Sequence, residues 1–303
     1  MAAQEPTADA DPTVVARSGP LEIVARGVVE GVLSGRHRSP FKGASVEFAE
    51  HRSYSVGDEP RHIDWRAVAK TGEYFVKQFE EETSLRAYVL LDVSGSMAYA
   101  GERLSKFDYA RVLSAAWTYL LLQQRDACGL AVFDRVLQHW KEPSTSATTF
   151  LELMQTLHSI TPGGEGSLAQ MLQTLQPRFR RRSLLALFSD GFDDVEAVLA
   201  ALRTWRAAGH DVVFWQILAP EEETFPFRRP VTFRSFEDRT NQAQGDIAQL
   251  RAEYLRNYAA FDQRLEQGLA DLGVDRVKCL TSQPFTQVLG GYLERRSARR
   301  HRR

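Results

Sequence analysis

The sequence predicts an α/β protein: a Rossmann-like, mostly parallel sheet with helices on both faces, preceded by a small β-rich or irregular N-terminal module. From residue 85 onward, apolar stretches of strand length alternate with amphipathic stretches of helix length. Such alternation is typical of parallel sheets whose crossover helices cover both faces. The chain has 303 residues, of which 43% are hydrophobic, so it can bury a core without disulfides or metals.

Composition excludes several classes of protein. The formal net charge is −1, so no overall field attracts nucleic acid or an acidic membrane. No apolar stretch approaches the roughly 18 residues that a membrane span requires, and the N-terminal residues lack the pattern of a secretory signal. Cys128 and Cys279 stand in apolar contexts typical of buried thiols. We therefore expect a cytoplasmic protein.

The chain divides into four predicted segments. Residues 1–18, rich in Ala, Pro, Asp and Thr, are predicted to be a flexible leader, and residues 19–84 form the small module, which begins with a short helix. Residues 85–294 form the α/β domain with a C-terminal extension, and residues 295–303 are an arginine-rich tail.

Within the α/β domain, each element follows from its own pattern. Apolar runs predict strands at 86–91, 127–133, 183–189, 211–218 and 274–280, with 136–140 pairing as a hairpin. A capping box at Ser105 and Asp108 opens the first helix. Apolar residues at helical spacing predict the later helices at 148–160, 167–180, 195–208, 246–271 and 284–296. Residues 219–243 show no regular pattern.

Two of the predicted strands end in oxygen-bearing side chains. Asp92, Ser94 and Ser96 follow the first strand at alternate positions, which point the same way on an extended segment. Asp190 follows a later strand, and in parallel sheets the ligand site lies beyond the carboxyl ends of the strands. Oxygen ligands suit a hard divalent cation, so these four residues predict a metal site. The alternative is that they only cap the turn and the next helix.

The run Asp92-Val-Ser-Gly-Ser-Met97 resembles the metal-ion-dependent adhesion site of von Willebrand factor A domains. This resemblance implies one bound Mg²⁺ or Mn²⁺ with an open position that accepts an Asp or Glu of a partner protein. The threonine ligand of that family falls on Gly166 here, and the alternative oxygen donors are the neighbouring Ser167, the neighbouring Glu165 and a water molecule.

The N-terminal module carries a second resemblance. The run Gly57-Asp58-Glu-Pro-Arg61-His-Ile63-Asp64-Trp65 resembles the signature of the bacterial family called domain of unknown function 58, in which such a module precedes a von Willebrand factor A-like domain. Members are commonly encoded beside MoxR-type AAA+ ATPases, which implies an ATPase of that type as the partner. An ion-pair cluster of Asp58, Arg61 and Asp64 over Trp65 either fastens the module to the α/β domain or docks a partner.

Three functional hypotheses follow. The sequence lacks the phosphate-binding, serine-hydrolase and zinc-protease motifs, which favours a non-enzymatic, metal-assisted protein–protein interaction module. The second hypothesis is a metal-dependent, phosphatase-like hydrolase with Asp92 as nucleophile, although Ser94 stands where such enzymes place a second acid. The third is nucleic-acid binding through the arginine-rich tail, which we do not favour.

Overall fold

The computed structural model describes residues 10–34, 52–53, 75–76, 85–101, 103–227, 233–234, 242–243 and 247–300. The chain divides into two compact units, Arg38–Ser84 and the remainder. In the smaller unit, strands β1 (Arg52–Ser53) and β2 (Phe75–Val76) pair antiparallel.

A six-stranded, mostly parallel sheet forms the centre of the larger unit, as the sequence predicts. Its strands lie in the order β10-β7-β6-β3-β4-β5, and β5 alone is antiparallel, at one edge. A separate antiparallel ribbon joins β8 and β9. The strands are β3 (Arg86–Asp92), β4 (Ala127–Phe133), β5 (Leu137–Ser144), β6 (Leu184–Ser189), β7 (Asp211–Leu218), β8 (Phe233–Arg234), β9 (Gln242–Ala243) and β10 (Asp275–Leu280).

Helices connect and cover the strands. They are α1 (Pro12–Ala16), α2 (Leu21–Ser34), α3 (Lys106–Gln123), α4 (Ala147–Ser159), α5 (Leu168–Leu175), α6 (Val195–Ala207), α7 (Pro220–Thr224), α8 (Ile247–Asp271) and α9 (Phe285–Arg300). Among the described residues, no helix is both long and apolar enough to cross a bilayer.

Some helix boundaries differ from the predictions for physical reasons. Helix α1 lies within the predicted leader, where Asp11 caps it and Val15 is buried. Helix α5 ends at Leu175 and passes into a 3₁₀ turn, because Pro177 has no N–H to continue the α-helical hydrogen bonds. Helix α9 continues to Arg300, past the predicted start of the tail, since arginine favours helix.

Helix α2 packs within the larger unit, although the sequence assigned its residues to the small module. Its buried residues recur at helical spacing and contact α3 and α9. These residues are Val24, Ala25, Val28, Val29 and Val32.

Neighbouring residues of each central strand enter two separate apolar layers. Phe214 of β7 belongs to the layer that includes α5, α6 and α8. Trp215, the next residue, packs instead against Trp117 of α3 and Tyr292 of α9, at 5.4 Å and 5.0 Å between ring centroids. The sheet is therefore covered on both faces, and its four central strands, β3, β4, β6 and β7, are almost entirely buried.

The strand order places one topological switch point in the sheet. After β3 the chain moves to one side, through β4 and β5, and then crosses to the other side, through β6, β7 and β10. Ligands bind such sheets beyond the carboxyl ends of the two strands at the switch. Here these strands are β3, which ends at Asp92, and β6, which is followed by Asp190.

Candidate functional site

The turn after β3 aims one carboxylate and two hydroxyls at the edge of the sheet. Asp92 is buried, and its Oδ1 accepts a hydrogen bond from the backbone N–H of Ser94 at 2.9 Å. A 3₁₀ turn then runs from Gly95 to Ala98. It brings the hydroxyl oxygens of Ser94 and Ser96 to within 3.3 Å of each other.

The end of β6 supplies the second wall. The Ser189 hydroxyl donates to Oδ2 of Asp92 at 2.6 Å and so joins the two strand ends directly. Asp190 is buried, and its Oδ1 accepts from the backbone N–H of Phe192 at 3.1 Å. The backbone turns at Gly191, whose φ of +73° suits a residue without a Cβ.

These two strand ends enclose a small polar cleft. It has a cavity volume of about 10 Å³, which is about what one water molecule requires. The four predicted metal ligands, Asp92, Ser94, Ser96 and Asp190, all line it. The other lining residues are Phe133, Asp134, Gly166, Leu168, Ser189 and Phe192.

The loop before α5 closes the cleft from a third side. The backbone N–H of Gly163 donates to the carbonyl of Val93 at 2.9 Å, and the carbonyl of Gly164 accepts from the N–H of Gly95 at 2.8 Å. At Gly166 an added Cβ would lie 3.0 Å from the Cβ of Ser94. The Cβ of Ser94 therefore crowds the space that a threonine side chain would need at this position.

Glu165, one alternative oxygen donor, is exposed and does not line the cleft. Ser167, the other, does not line it either. Its hydroxyl donates to Oδ2 of Asp193 at 3.0 Å and accepts from the backbone N–H of Gln170 at 3.3 Å, which caps helix α5. The helix start requires this orientation, because its first N–H groups have no partner within the helix. The sequence-based suggestion that Ser167 replaces the threonine is thus corrected.

Lys106, at the first position of α3, places a cation behind the cleft. Its side chain is 1% exposed, and its Nζ lies 2.8 Å from Oδ2 of Asp190 and 2.6 Å from Oε1 of Glu222. The Nζ also lies 5.1 Å from the ring centroid of Phe192, within the range of a cation–π contact.

Burial and charge shift the proton affinities of these groups. Burial, and then the nearby Asp190 carboxylate, raise the pKa of Asp92 to about 6. Burial lowers the pKa of the Lys106 ammonium, but Asp190 and Glu222 outweigh this effect and raise it above its ordinary value. Burial also raises the pKa of Glu222. Of the two acids at the strand ends, Asp190 is therefore paired with a cation and Asp92 is not.

Sequence reasoning did not identify Lys106, Glu222 or Ser189 as site residues. Lys106 follows the capping serine of α3 and resembles any lysine in a first helical turn. Its burial depends on α7, a short helix in a stretch without a regular pattern. Ser189 directly precedes Asp190 at the strand end, which is the one signal that pointed to it.

The predicted docking cluster lies outside the described residues: Gly57, Asp58, Arg61, Asp64 and Trp65. Within the described part of the chain, no group of three or more His, Cys, Asp or Glu side chains is placed to hold a metal ion.

Comparison with solved structures finds distant similarities. One is the conserved hypothetical protein BatB from Bacteroides thetaiotaomicron, with 16% identity and a TM-score of 0.45 over 71% of this chain and 99% of that one. Another is the VWA domain of SpRpn10, with 11% identity and a TM-score of 0.40 over 67% of this chain and 92% of that one.

Sequence comparison finds closer relatives and a family. Uncharacterized proteins of Mycobacterium bovis and Mycobacterium tuberculosis are 26% identical over 253 residues, which cover 82% of this chain and 79% of each relative. The family described as "Protein of unknown function DUF58" matches residues 50–264, more than half of the sequence. The chain therefore belongs to this family, as the signature in its N-terminal module suggested.

Proposed function

We propose that this chain is a non-enzymatic protein-interaction module, whose cleft takes an acidic side chain of a partner protein with the help of a divalent cation. One observation carries the proposal. At the switch point of the sheet, the turn after β3 brings Asp92, Ser94 and Ser96 to one small, oxygen-lined cleft, which the end of β6 borders. The cleft lies at the rim of the sheet, where the proposed ligand Ser96 is partly exposed.

The donor set fits a hard cation. Asp92 provides a carboxylate whose hydrogen bonds come from neutral donors, and Ser94 and Ser96 provide adjacent hydroxyl oxygens. Such ligands suit Mg²⁺ or Mn²⁺. We propose that these three residues hold the ion, without a threonine. A bound ion would supply a positively charged position for a carboxylate of the partner.

The partner in this proposal presents an Asp or Glu and is a MoxR-type AAA+ ATPase, as the resemblance to the family implies. A cytoplasmic location is part of the same proposal, since Cys128 and Cys279 are buried, free thiols, which a reducing compartment preserves.

The first prediction tests the cleft against a charge-matched control. Immobilised wild-type protein should bind the purified MoxR-type ATPase of the same organism in Mg²⁺ and lose at least about tenfold in affinity in EDTA. Asp92→Ala should lose the same affinity in Mg²⁺. Glu165→Ala removes an equal charge from an exposed loop beside the cleft and should bind like the wild type. Biolayer interferometry measures all four cases.

Two results would contradict the proposal. One is ATPase binding of equal strength in Mg²⁺ and EDTA. The other is wild-type affinity in an Asp92→Ala protein whose circular dichroism shows it to be folded.

A further inference from the structure

Outside the predicted metal ligands, the feature that most requires an explanation is the buried ammonium group of Lys106. A lysine that is 1% exposed needs partners, because an unpaired charge is costly to bury. Lys106 has two, and they come from separate elements: Asp190 after β6 and Glu222 in α7. Glu222 is itself held in place, because its Oε2 accepts from the backbone N–H of Ala219 at 2.8 Å.

Three acids line the cleft, and Asp134 among them accepts hydrogen bonds from the backbone N–H of Val136 and the side-chain amide of Gln138. The other two, Asp190 and Asp92, differ in what balances their charge. Oδ2 of Asp190 accepts from the Lys106 ammonium and Oδ1 from the backbone N–H of Phe192. Asp92 also accepts two hydrogen bonds, but both come from neutral groups, the N–H of Ser94 and the hydroxyl of Ser189. The negative charge of Asp190 is thus compensated within the chain, whereas that of Asp92 is not.

We propose that Lys106 is the built-in counter-cation of Asp190, and that it removes Asp190 from the residues that hold a divalent cation directly. This inference rests on the metal-assisted function proposed above and deepens it. Asp92, Ser94 and Ser96 then hold the ion with a single negative charge among them. Much of the positive charge of the ion stays uncompensated, and this favours an acidic side chain from the partner.

A purely structural ion pair predicts something different. If Lys106 only joined α3, β6 and α7, removing it would lower stability and leave the metal affinity unchanged or weaker. If Lys106 competes for Asp190, removing its charge frees that carboxylate, and metal binding becomes tighter. The direction of the change in metal affinity therefore separates the two roles.

The second prediction is measured by isothermal titration of Mg²⁺ and of Mn²⁺ into the full-length protein without a partner. Lys106→Met should bind each ion at least about tenfold more tightly than the wild type. Glu222→Gln is the matched control: it leaves Lys106 paired with Asp190 alone, so its affinity should equal or fall below that of the wild type. Asp92→Ala should abolish binding in either background.

The melting temperature of Lys106→Met is measured on the same samples to show that the variant is folded. Lys106→Met leaves Asp190 and Glu222 without their cation, so its melting temperature in EDTA should fall, and Mg²⁺ should raise it by more than in the wild type. If the single variant does not fold, the double variant Lys106→Met, Glu222→Gln takes its place, because it removes one charge of each sign. It should also bind the metal more tightly than the wild type.

The inference would be overturned if folded Lys106→Met, or the double variant, bound the metal no more tightly than the wild type. It would also be overturned if none of these proteins bound the metal. A partner that binds equally well in EDTA would refute the proposed function instead. The metal titration would remain interpretable, since it uses no partner.

Discussion

At the scale of single residues, Asp92 decides the chemistry of the cleft. It is buried at the end of β3, beside a second acid, and only neutral groups donate hydrogen bonds to it. Its raised pKa means that folding makes its ionisation less favourable. Such a group is a cost to the fold at neutral pH, and a bound cation would offset that cost.

The third prediction is the pH dependence of this cost. The folded-state pKa of Asp92, about 6, exceeds its ordinary value of 3.8, so between these values the native state binds more protons than the unfolded state. Stability in EDTA should therefore fall as pH rises through this window. Asp92→Asn removes the effect and should be more stable than the wild type at pH 7.5, by about 3 kcal/mol.

Urea unfolding at about pH 4 and pH 7.5 measures the difference between the two proteins. The advantage of Asp92→Asn should shrink toward zero at the lower pH, where Asp92 is protonated in the native state and partly protonated in the unfolded state. An advantage of the same size at both pH values, or none at either, would show that ionisation of Asp92 does not strain the fold.

The sequence identified the cleft residues that follow a local rule. Asp92, Ser94 and Ser96 are visible because an alternating pattern directly after a buried strand aims them together. Lys106 and Glu222 were not predictable in this way: they are 116 positions apart, and only the packing of α7 brings them within 2.6 Å. A contact between side chains of two elements that are distant in the sequence produces no periodic pattern, so the sequence does not predict it.

At the scale of elements, the loop between α4 and α5 shapes the cleft. Gly164 has a φ of +83°, and a Cβ added there would lie 3.1 Å from a carboxylate oxygen of Asp134. Its carbonyl accepts from Gly95 in the turn that carries Ser94 and Ser96. The left-handed conformation at Gly164 therefore helps to hold the two hydroxyls in place.

The fourth prediction compares two neighbouring glycines of this loop. Gly164→Ala should cost about 1–2 kcal/mol, because residues with a Cβ disfavour the left-handed conformation. Gly163→Ala is the control: no atom lies within 4 Å of the added methyl group, and the change should stay within about 0.5 kcal/mol. Thermal and urea unfolding measure both. Equal effects of the two substitutions would show that the loop relaxes without strain.

The elements themselves were predictable where a pattern is long and regular. The strands of the sheet and the helices α3, α6 and α8 begin and end within a few residues of their predictions. The short helix α7 was not predicted, because a segment of this length has no apolar period. It depends on Pro220 at its first position and on Glu222, which accepts from the N–H of Ala219.

At the scale of the whole molecule, the strand order brings together residues that no single sequence motif contains. The reversal of strand order at β3 sets Asp92 and Asp190, 98 positions apart in the sequence, on the same cleft. The sequence predicted that Asp92 and Asp190 lie at one site, from the rule that ligands bind beyond the carboxyl ends of parallel strands. The hydrolase and nucleic-acid hypotheses stay predictions.

The fifth prediction tests the central claim most directly: the position of a metal ion in the crystalline protein. Crystals grown in Mn²⁺ should show one anomalous-difference peak in the cleft, bounded by the Asp92 carboxylate and the hydroxyls of Ser94 and Ser96, with Lys106 still paired with Asp190. The same crystals of Asp92→Ala should lack that peak. An empty cleft in the wild type at saturating Mn²⁺, or a peak only elsewhere, would contradict the account.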